Sequence, residues 1–187
     1  MRVQPWLRAE VDLAVPREGG RGVLVVSNHR SHLDAFILLS RIPGVRILAK
    51  SALFRIPFLA LMMRSTRQIR VERGRLDAWG LAMTEVGRRL NAGEVVHVFP
   101  ELTRCEPGFS GTRPFVAGPF LAAIQNDALV VPVVFKGTDR AWPKGVFGVG
   151  YAEPVVAKSL PPLRARDFAN AEALKRDVQR RIEQALA

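Results

Sequence analysis

Cysteine is nearly missing: Cys105 is the only one in 187 residues. That excludes an internal disulfide and a cysteine-built metal site, and it suits a reducing compartment, so a cytoplasmic location is expected. Aromatic residues are scarce as well, with a single Tyr, which is poor material for the stacking platform of a single-strand nucleic-acid binder. No groove-entering nucleic-acid motif is visible either, and no nucleic-acid partner is expected. Acidic residues fall short of basic ones, 17 against 28, leaving a net charge of +11. Such an excess attracts polyanions without choosing among nucleic acid, anionic lipid surfaces and phosphate-bearing substrates. Long apolar runs are also lacking, since no stretch reaches the roughly 18 to 20 residues that a transmembrane helix needs. The opening MRVQPWLRAEVDLAVP has no apolar core followed by a small-residue cleavage site, which argues against a secretory signal. Nearest to a membrane element is SALFRIPFLALMM, residues 51–63, too short to cross, interrupted by Arg55 and Pro57, and suited to lying in an interface.

What is present is a regular alternation. Short Val- and Ile-rich runs, VLVVS (23–27), VRILA (45–49), QIRVE (68–72), VVHVF (95–99), LVVPVVF (129–135) and VFGVGY (146–151), are separated by helical patterns. That order predicts an α/β fold with a mostly parallel central sheet flanked by helices. Leu76, Trp79, Met83, Val86 and Leu90 recur at steps of three and four, one stripe of an amphipathic helix that the NAG at 91–93 stops. Leu174, Val178, Ile182 and Leu186 repeat the pattern and predict a C-terminal helix over about 171–186. KSLPPLRARD (158–167) reads as a connector, and the length suits one domain spanning 1–187.

In an open α/β sheet, ligands bind beyond the C-terminal ends of the strands. NHRSHLD follows the first central strand there, and PELTR follows another, so the two clusters are expected to form one site. SHLD fits a helix start, with Ser31 as N-cap and Asp34 as the reciprocal capping acid. Asp34 also stands five residues after His29, placing the imidazole in the strand-to-helix loop and the carboxylate on the helix's first turn. An Asp accepting from one ring nitrogen fixes the tautomer and leaves the other nitrogen as a general base for an alcohol proton. The capping and catalytic readings of Asp34 stand side by side. Backbone N–H groups at this helix start are expected to be available to an oxyanion or phosphate. His32 reads as a surface or capping neighbour. A metal held by His29, His32 and Asp34 would need an unusual spacing with no second cluster in support, and no metal is expected.

These residues carry a family resemblance. NHRSHLD resembles the N-H-x4-D block of the glycerolipid acyltransferases, the 1-acylglycerol-3-phosphate acyltransferase group, and FPELTRC (99–105) resembles their F-P-E-G-T-R-S block. IRVERGR (69–75) falls where that family carries an Arg at a strand end, matching Arg73. VVPVVFKGT (130–138) resembles the later V-P-V block through Pro132, so the likeness covers residues 23–138.

The resemblance implies an O-acyltransferase of phospholipid biosynthesis. His29, held by Asp34, would deprotonate the hydroxyl of a lysophospholipid, 1-acylglycerol-3-phosphate first, which attacks an acyl thioester on coenzyme A or acyl carrier protein. No cofactor is implied beyond that acyl-CoA or acyl-ACP co-substrate. By the family pattern, Arg73, Glu101, Thr103 and Arg104 hold the phosphorylated acceptor, Glu101 orienting it and the arginines meeting the phosphate, a task suited to the planar guanidinium fork. Alternation through Ile69 and Val71 puts Arg73 on a core-side face, where it needs an anion unless it merely caps the strand end in solvent. Glu101 has an alternative role as the buried partner of Arg104. Two positions depart from the pattern, Leu102 for Gly and Cys105 for Ser, and they make another lysolipid headgroup more plausible. Cys105 is an inert small residue or an acyl-accepting nucleophile.

Apolar walls for an acyl chain are sought among Leu53, Phe54, Phe58, Leu59, Met62 and Met63, against the reading that these are ordinary helix core. The family's apolar N-terminal extension is not found in these 187 residues, so either they are a piece of a longer chain or segment 51–63 and surface arginines reach an anionic membrane surface, and the expected location is peripheral on the inner face of the cell membrane. The competing readings are a non-enzymatic basic nucleic-acid binder and a catalytically silent membrane-docking relative.

Overall fold

Backbone hydrogen bonds join eight strands into one sheet in a computed structural model that describes residues 9–72, 76–106, 108–143, 145 and 154–187. The first half runs β1 Ala9–Asp12, β2 Val23–Ser27, α1 His32–Arg41, β3 Arg46–Lys50, a 3-10 turn Ser51–Arg55, α2 Pro57–Ser65, β4 Ile69–Val71 and α3 Leu76–Asn91. The second runs β5 Val95–Val98, α4 Gly118–Gln125, β6 Leu129–Lys136, α5 Thr138–Ala141, β7 Val155–Ser159, β8 Leu163–Arg164, a 3-10 turn Ala165–Asp167 and α6 Ala171–Leu186. The strand order is β1-β7-β6-β2-β5-β3-β4, with β8 also on β6. The pairs β1–β7, β6–β2, β2–β5, β5–β3 and β3–β4 are parallel, and β6 pairs β7 and β8 antiparallel. The fold is therefore α/β with a mostly parallel sheet.

Side-chain alternation along β2 divides the core in two, as a strand covered on both faces requires. Val23 and Val25 pack with Leu38 of α1, with Ile42 just after it, and with Val45 and Ile47. Leu24 and Val26 turn to the other face, against Val86 and Leu90 of α3, Phe120 and Ala123 of α4, and Leu174, Val178 and Ile182 of α6. The stripes read from the sequence thus face the core through Met83, Val86 and Leu90 of α3 and through Leu174, Val178, Ile182 and Leu186 of α6. Helix α3 stops because Gly93, at φ +72, takes the left-handed conformation that closes a helix, and a Cβ there would lie 2.5 Å from the Gly20 carbonyl oxygen.

One expectation differs from the structure, and one strand has no signal in the sequence. The 158–167 segment is not a plain connector: it supplies the end of β7, all of β8 and the following 3-10 turn. The Leu160 amide donates to the Pro132 carbonyl at 2.8 Å and the Ala165 amide to Ala128 at 3.1 Å, so β6 satisfies this backbone along its length. Strand β1 adds to β7 in a part of the sequence with no run of apolar residues, its burial limited to a partly covered Val11. The VFGVGY run (146–151) lies outside the described residues, and so does Arg73.

Candidate active site

Strand β2 ends at Ser27, and the four residues before α1 are fixed by hydrogen bonds to β6, to the loop after β5 and to Asp34. The buried Asn28 side chain donates to the Phe135 carbonyl at 2.9 Å and accepts from the Phe135 amide at 2.8 Å, tying the loop to β6. The His29 amide donates to Glu101 Oε1 at 2.9 Å, and the His29 carbonyl accepts from the Cys105 amide at 3.0 Å. Those two bonds join the loop after β2 to the loop after β5. The NHRSHLD and PELTR clusters consequently meet at one edge of the sheet, beyond the C-terminal ends of two paired parallel strands.

His29 Nδ1 lies 3.0 Å from Asp34 Oδ2. The same oxygen accepts from the amides of Arg30 at 2.7 Å and Ser31 at 2.8 Å, while Ser31 Oγ caps the Leu33 amide. An oxygen already accepting from two amides acts as an acceptor toward the ring as well, so Nδ1 carries the proton and Nε2 keeps its lone pair. Asp34 is therefore both the helix's capping acid and the partner of the imidazole, and its side chain is fully buried against 17% exposure for that of His29. The bonds also narrow one expectation: the amides of Arg30, Ser31 and Leu33 are taken by side chains, so these three are not open to an oxyanion or phosphate.

The imidazole lies on Phe99, with ring centroids 3.8 Å apart and planes inclined by 19°. Phe99 in turn meets the edge of His97 at 4.3 Å. His97 is fully buried in β5 and hydrogen-bonded through Nε2 to Ser27 Oγ at 2.9 Å; burial, and next the nearby His29, lower its pKa to about 3, so it remains neutral. Nothing in the sequence singled out Asn28, Phe99 or His97 for such support, because their partners are remote in the chain.

A cleft of about 540 Å³ opens over His29. Its polar lining residues besides His29 are His32, Lys50, Glu72, Thr103 and Arg104, and its apolar ones include Ile47, Leu48, Leu53, Val71, Trp79 and Leu102. His32 is thus a wall of the cleft and not only a neighbour of the cap; desolvation first, and Arg104 second, lower its pKa. Of the proposed acyl-chain walls only Leu53 lines this space. Phe54 and Met63 are core residues, and Phe58 is 81% exposed. Leu102 stands in the left-handed region at φ +59, where a glycine is the easier residue, and its side chain lines the cleft.

Glu101 takes a different place from the one expected. Its Oε1 accepts from the His29 amide, and its Oε2 accepts from the Arg113 amide at 2.9 Å and from Cys105 Sγ at 2.8 Å. The carboxylate is buried and both oxygens are engaged within the protein, so it braces the two loops and does not line the cleft. No ion pair joins it to Arg104 among the described residues. Burial, and next Glu101, push the Cys105 thiol up to about 11. A side chain 1% exposed that holds its proton is an inert packing residue. Among the described residues no group of three or more His, Cys, Asp or Glu is placed to hold a metal ion, and no helix is long and apolar enough to cross a membrane.

Comparison with known proteins bears on this geometry. The chain is 32% identical over 147 residues to a 1-acyl-sn-glycerol-3-phosphate acyltransferase of Limnanthes douglasii, a match covering 78% of this chain and 51% of the relative. It is 24% identical over 177 residues to the Haemophilus influenzae protein of the same name, covering 90% of this chain and 73% of that one. The chain spans about half the length of the plant relatives it matches. Among solved structures, the 1-acyl-sn-glycerophosphate (LPA) acyltransferase PlsC of Thermotoga maritima superimposes with a TM-score of 0.82 at 24% identity, over 96% of this chain and 71% of that one, which shows a shared fold. The sequence model of the family described as Acyltransferase matches residues 8–136, and the chain belongs to that family.

Proposed function

We propose that this protein transfers a fatty acyl group from an acyl-CoA or acyl-ACP thioester to the hydroxyl of a lysophospholipid, with 1-acylglycerol-3-phosphate as the first acceptor, at the inner face of the cell membrane. One observation carries the proposal: a histidine lining a cleft, with Nδ1 held 3.0 Å from a buried carboxylate and Nε2 left to accept a proton. His29 Nε2 takes the acceptor's hydroxyl proton as the oxygen attacks the thioester carbonyl carbon, and the carbonyl electron pair moves onto its oxygen. Collapse restores the carbonyl and breaks the C–S bond, and the departing thiolate takes the proton back from Nε2. The products are an ester and a free thiol, with His29 returned to its starting state. Asp34 stabilises the imidazolium that exists between these steps.

Arg104 and Thr103, both on the cleft wall, supply a cation and a hydroxyl to the acceptor's phosphate, and Arg73 is assigned to the same phosphate by its place in the family motif. Glu101 contributes by fixing the backbone of His29 and the turn that carries Thr103 and Arg104. The apolar wall from Ile47 to Trp79 suits an acyl chain, and no cofactor beyond the thioester co-substrate is required.

The test is a thioester-release assay with lysophosphatidic acid and a small panel of other lysolipids, using both acyl-CoA and acyl-ACP. Wild type turns over, and His29→Ala loses about 10²–10⁴-fold, the usual contribution of a positioned general base. Equal slow thiol release by the two proteins overturns the reading. The panel identifies the headgroup, and the two donors identify the thioester.

A further inference from the structure

We propose that the 3-10 turn Ser51–Arg55 and helix α2 form a membrane-docking face, with Ile56, Phe58 and Leu61 entering the acyl boundary of an anionic bilayer while Arg55, Arg64 and Arg67 meet its phosphates. The proposal deepens the acyl-transfer reading, because it places a lipid source beside the cleft, but it stands on separate observations. Helix α2 buries Ala60 and Met63 and turns Phe58 and Leu61, three residues apart, the other way. Their exposures are 81% and 68%, and Ile56 just before the helix is 52% exposed. A cluster of three large apolar side chains held in water on one short element marks a surface that is covered in use.

Charge identifies what covers it. From Lys50 to Val71 the chain carries five basic residues and no acidic one. One of the five, Arg70, lies beside Glu72 at 2.6 Å, and several surface arginines elsewhere are paired in the same way, as in Arg88 with Glu85 at 2.7 Å and Arg181 with Asp177 at 2.6 Å. The guanidinium groups of Arg55, Arg64 and Arg67 have no such partner among the described residues. Exposed apolar side chains on a segment whose exposed Arg55, Arg64 and Arg67 have no carboxylate partner among the described residues match the interface of an anionic membrane, where the rings and branched chains sit below the phosphates and the guanidinium groups among them. Continuity with the cleft supports the same occupant: Leu53 of the 3-10 turn and Lys50 just before it line the space over His29. A lipid chain leaving the bilayer at this face reaches the cleft along the turn.

Vesicle sedimentation with the full chain tests the proposal. Wild type is expected to bind phosphatidylglycerol-containing vesicles, more weakly with added salt and more weakly still on phosphatidylcholine alone. The double variant Phe58→Ser with Leu61→Ser is expected to lose about 100-fold or more in partitioning to both compositions, because its apolar contribution is removed. The triple variant Arg55→Gln, Arg64→Gln, Arg67→Gln is expected to lose about 100-fold on the anionic vesicles and little on phosphatidylcholine. All of these side chains are exposed, so thermal melts are expected to coincide with wild type.

Turnover on a water-soluble, short-chain lysophosphatidate keeps this proposal separable from the acyl-transfer reading. The serine double variant retains it, whereas His29→Ala loses it yet binds vesicles as wild type does. Absent short-chain turnover by wild type, with vesicle binding intact, overturns the acyl-transfer reading and leaves the docking face standing. Wild-type-like vesicle binding by the serine variant overturns the docking face. So does a wild type that ignores vesicles and instead self-associates or binds DNA through the same residues.

Discussion

Replacing Asp34 with Asn separates the charge of this side chain from its hydrogen bonds. One oxygen, Oδ2, accepts from His29 Nδ1, the Arg30 amide and the Ser31 amide, at 3.0, 2.7 and 2.8 Å. The other, Oδ1, is buried without a partner. An Asn can put its carbonyl where Oδ2 lies and its NH2 where nothing is bonded, so the helix cap and the ring contact survive at nearly unchanged volume. What disappears is the negative charge. Bonds to charged groups contribute about 1.5–3 kcal/mol and neutral ones about 0.5–1.5 kcal/mol, but removing a fully buried charge also removes its desolvation cost. The net is a destabilisation of about 1–2 kcal/mol, or a fall in Tm of roughly 3–8 °C for a chain of this size.

The loss in rate should be far larger. With the carboxylate 3.0 Å from Nδ1, its attraction for an imidazolium at an effective dielectric of 20 is about 5 kcal/mol. A barrier increase of about 3–5 kcal/mol corresponds to roughly 10²–10⁴-fold in kcat. Asp34→Ala makes the contrast, because it also strands two backbone amides, each costing about 1–3 kcal/mol, and Tm should then fall by 10 °C or more. The assay is thioester release at saturating donor, read as kcat and KM, alongside thermal melts of the three proteins. An Asn variant within tenfold of wild-type kcat refutes the claim that the charge stabilises the imidazolium. An Asn variant as unstable as the Ala variant refutes the assignment of the three bonds to a single oxygen.

Cys105 is expected to resist a thiol reagent at pH 8 in the folded protein and to react once on denaturation, since burial holds its pKa near 11; Cys105→Ser should keep turnover, and loss of a covalent acyl intermediate in that variant would restore the nucleophile reading. His97 links stability to acid. Its pKa is lowered from 6.5 to about 3, so below 6.5 the unfolded chain takes up a proton that the folded one refuses. The fold keeps this contribution above 6.5 and loses it as pH falls toward 3, at up to about 1.4 kcal/mol per pH unit. His97→Leu should flatten that part of the slope in urea unfolding at pH 7, 5 and 4; parallel slopes for the two proteins would mean that the ring is protonated in the fold.

The elements legible in the sequence are those whose burial is settled locally. β2, β5 and β6 are apolar at nearly every position because helices cover both faces, and α3 and α6 show stripes because each packs one side. β1, β7 and β8 escape this logic: four, five and two residues long, they are partly exposed and are held by pairing with a strand elsewhere in the chain. Segment 51–63 shows another limit. Apolar residues occur on both sides of α2, and hydropathy alone does not tell that Met63 goes inward while Phe58 faces out.

The same division runs through the site. His29 and Asp34 are five residues apart on one loop and first turn, so residue type and spacing were enough to pair them. The position of that pair on the sheet depends instead on Asn28 reaching Phe135, 107 residues away, and on Glu101 reaching the His29 amide across 72 residues. The family resemblance places Glu101 with the acceptor through its position in the FPELTRC block. Its actual partners are two backbone amides and a thiol, none of which a one-dimensional pattern displays. Leu102 marks the cost of such a tightly held turn: the loop requires a left-handed residue at this point, a conformation unfavourable for Leu by about 1–2 kcal/mol, and the turn keeps it because the bonds from Glu101 fix the chain on either side. A site built this way exposes its reactive pair to sequence reading, while the residues that aim the pair are found only once the strands are laid side by side.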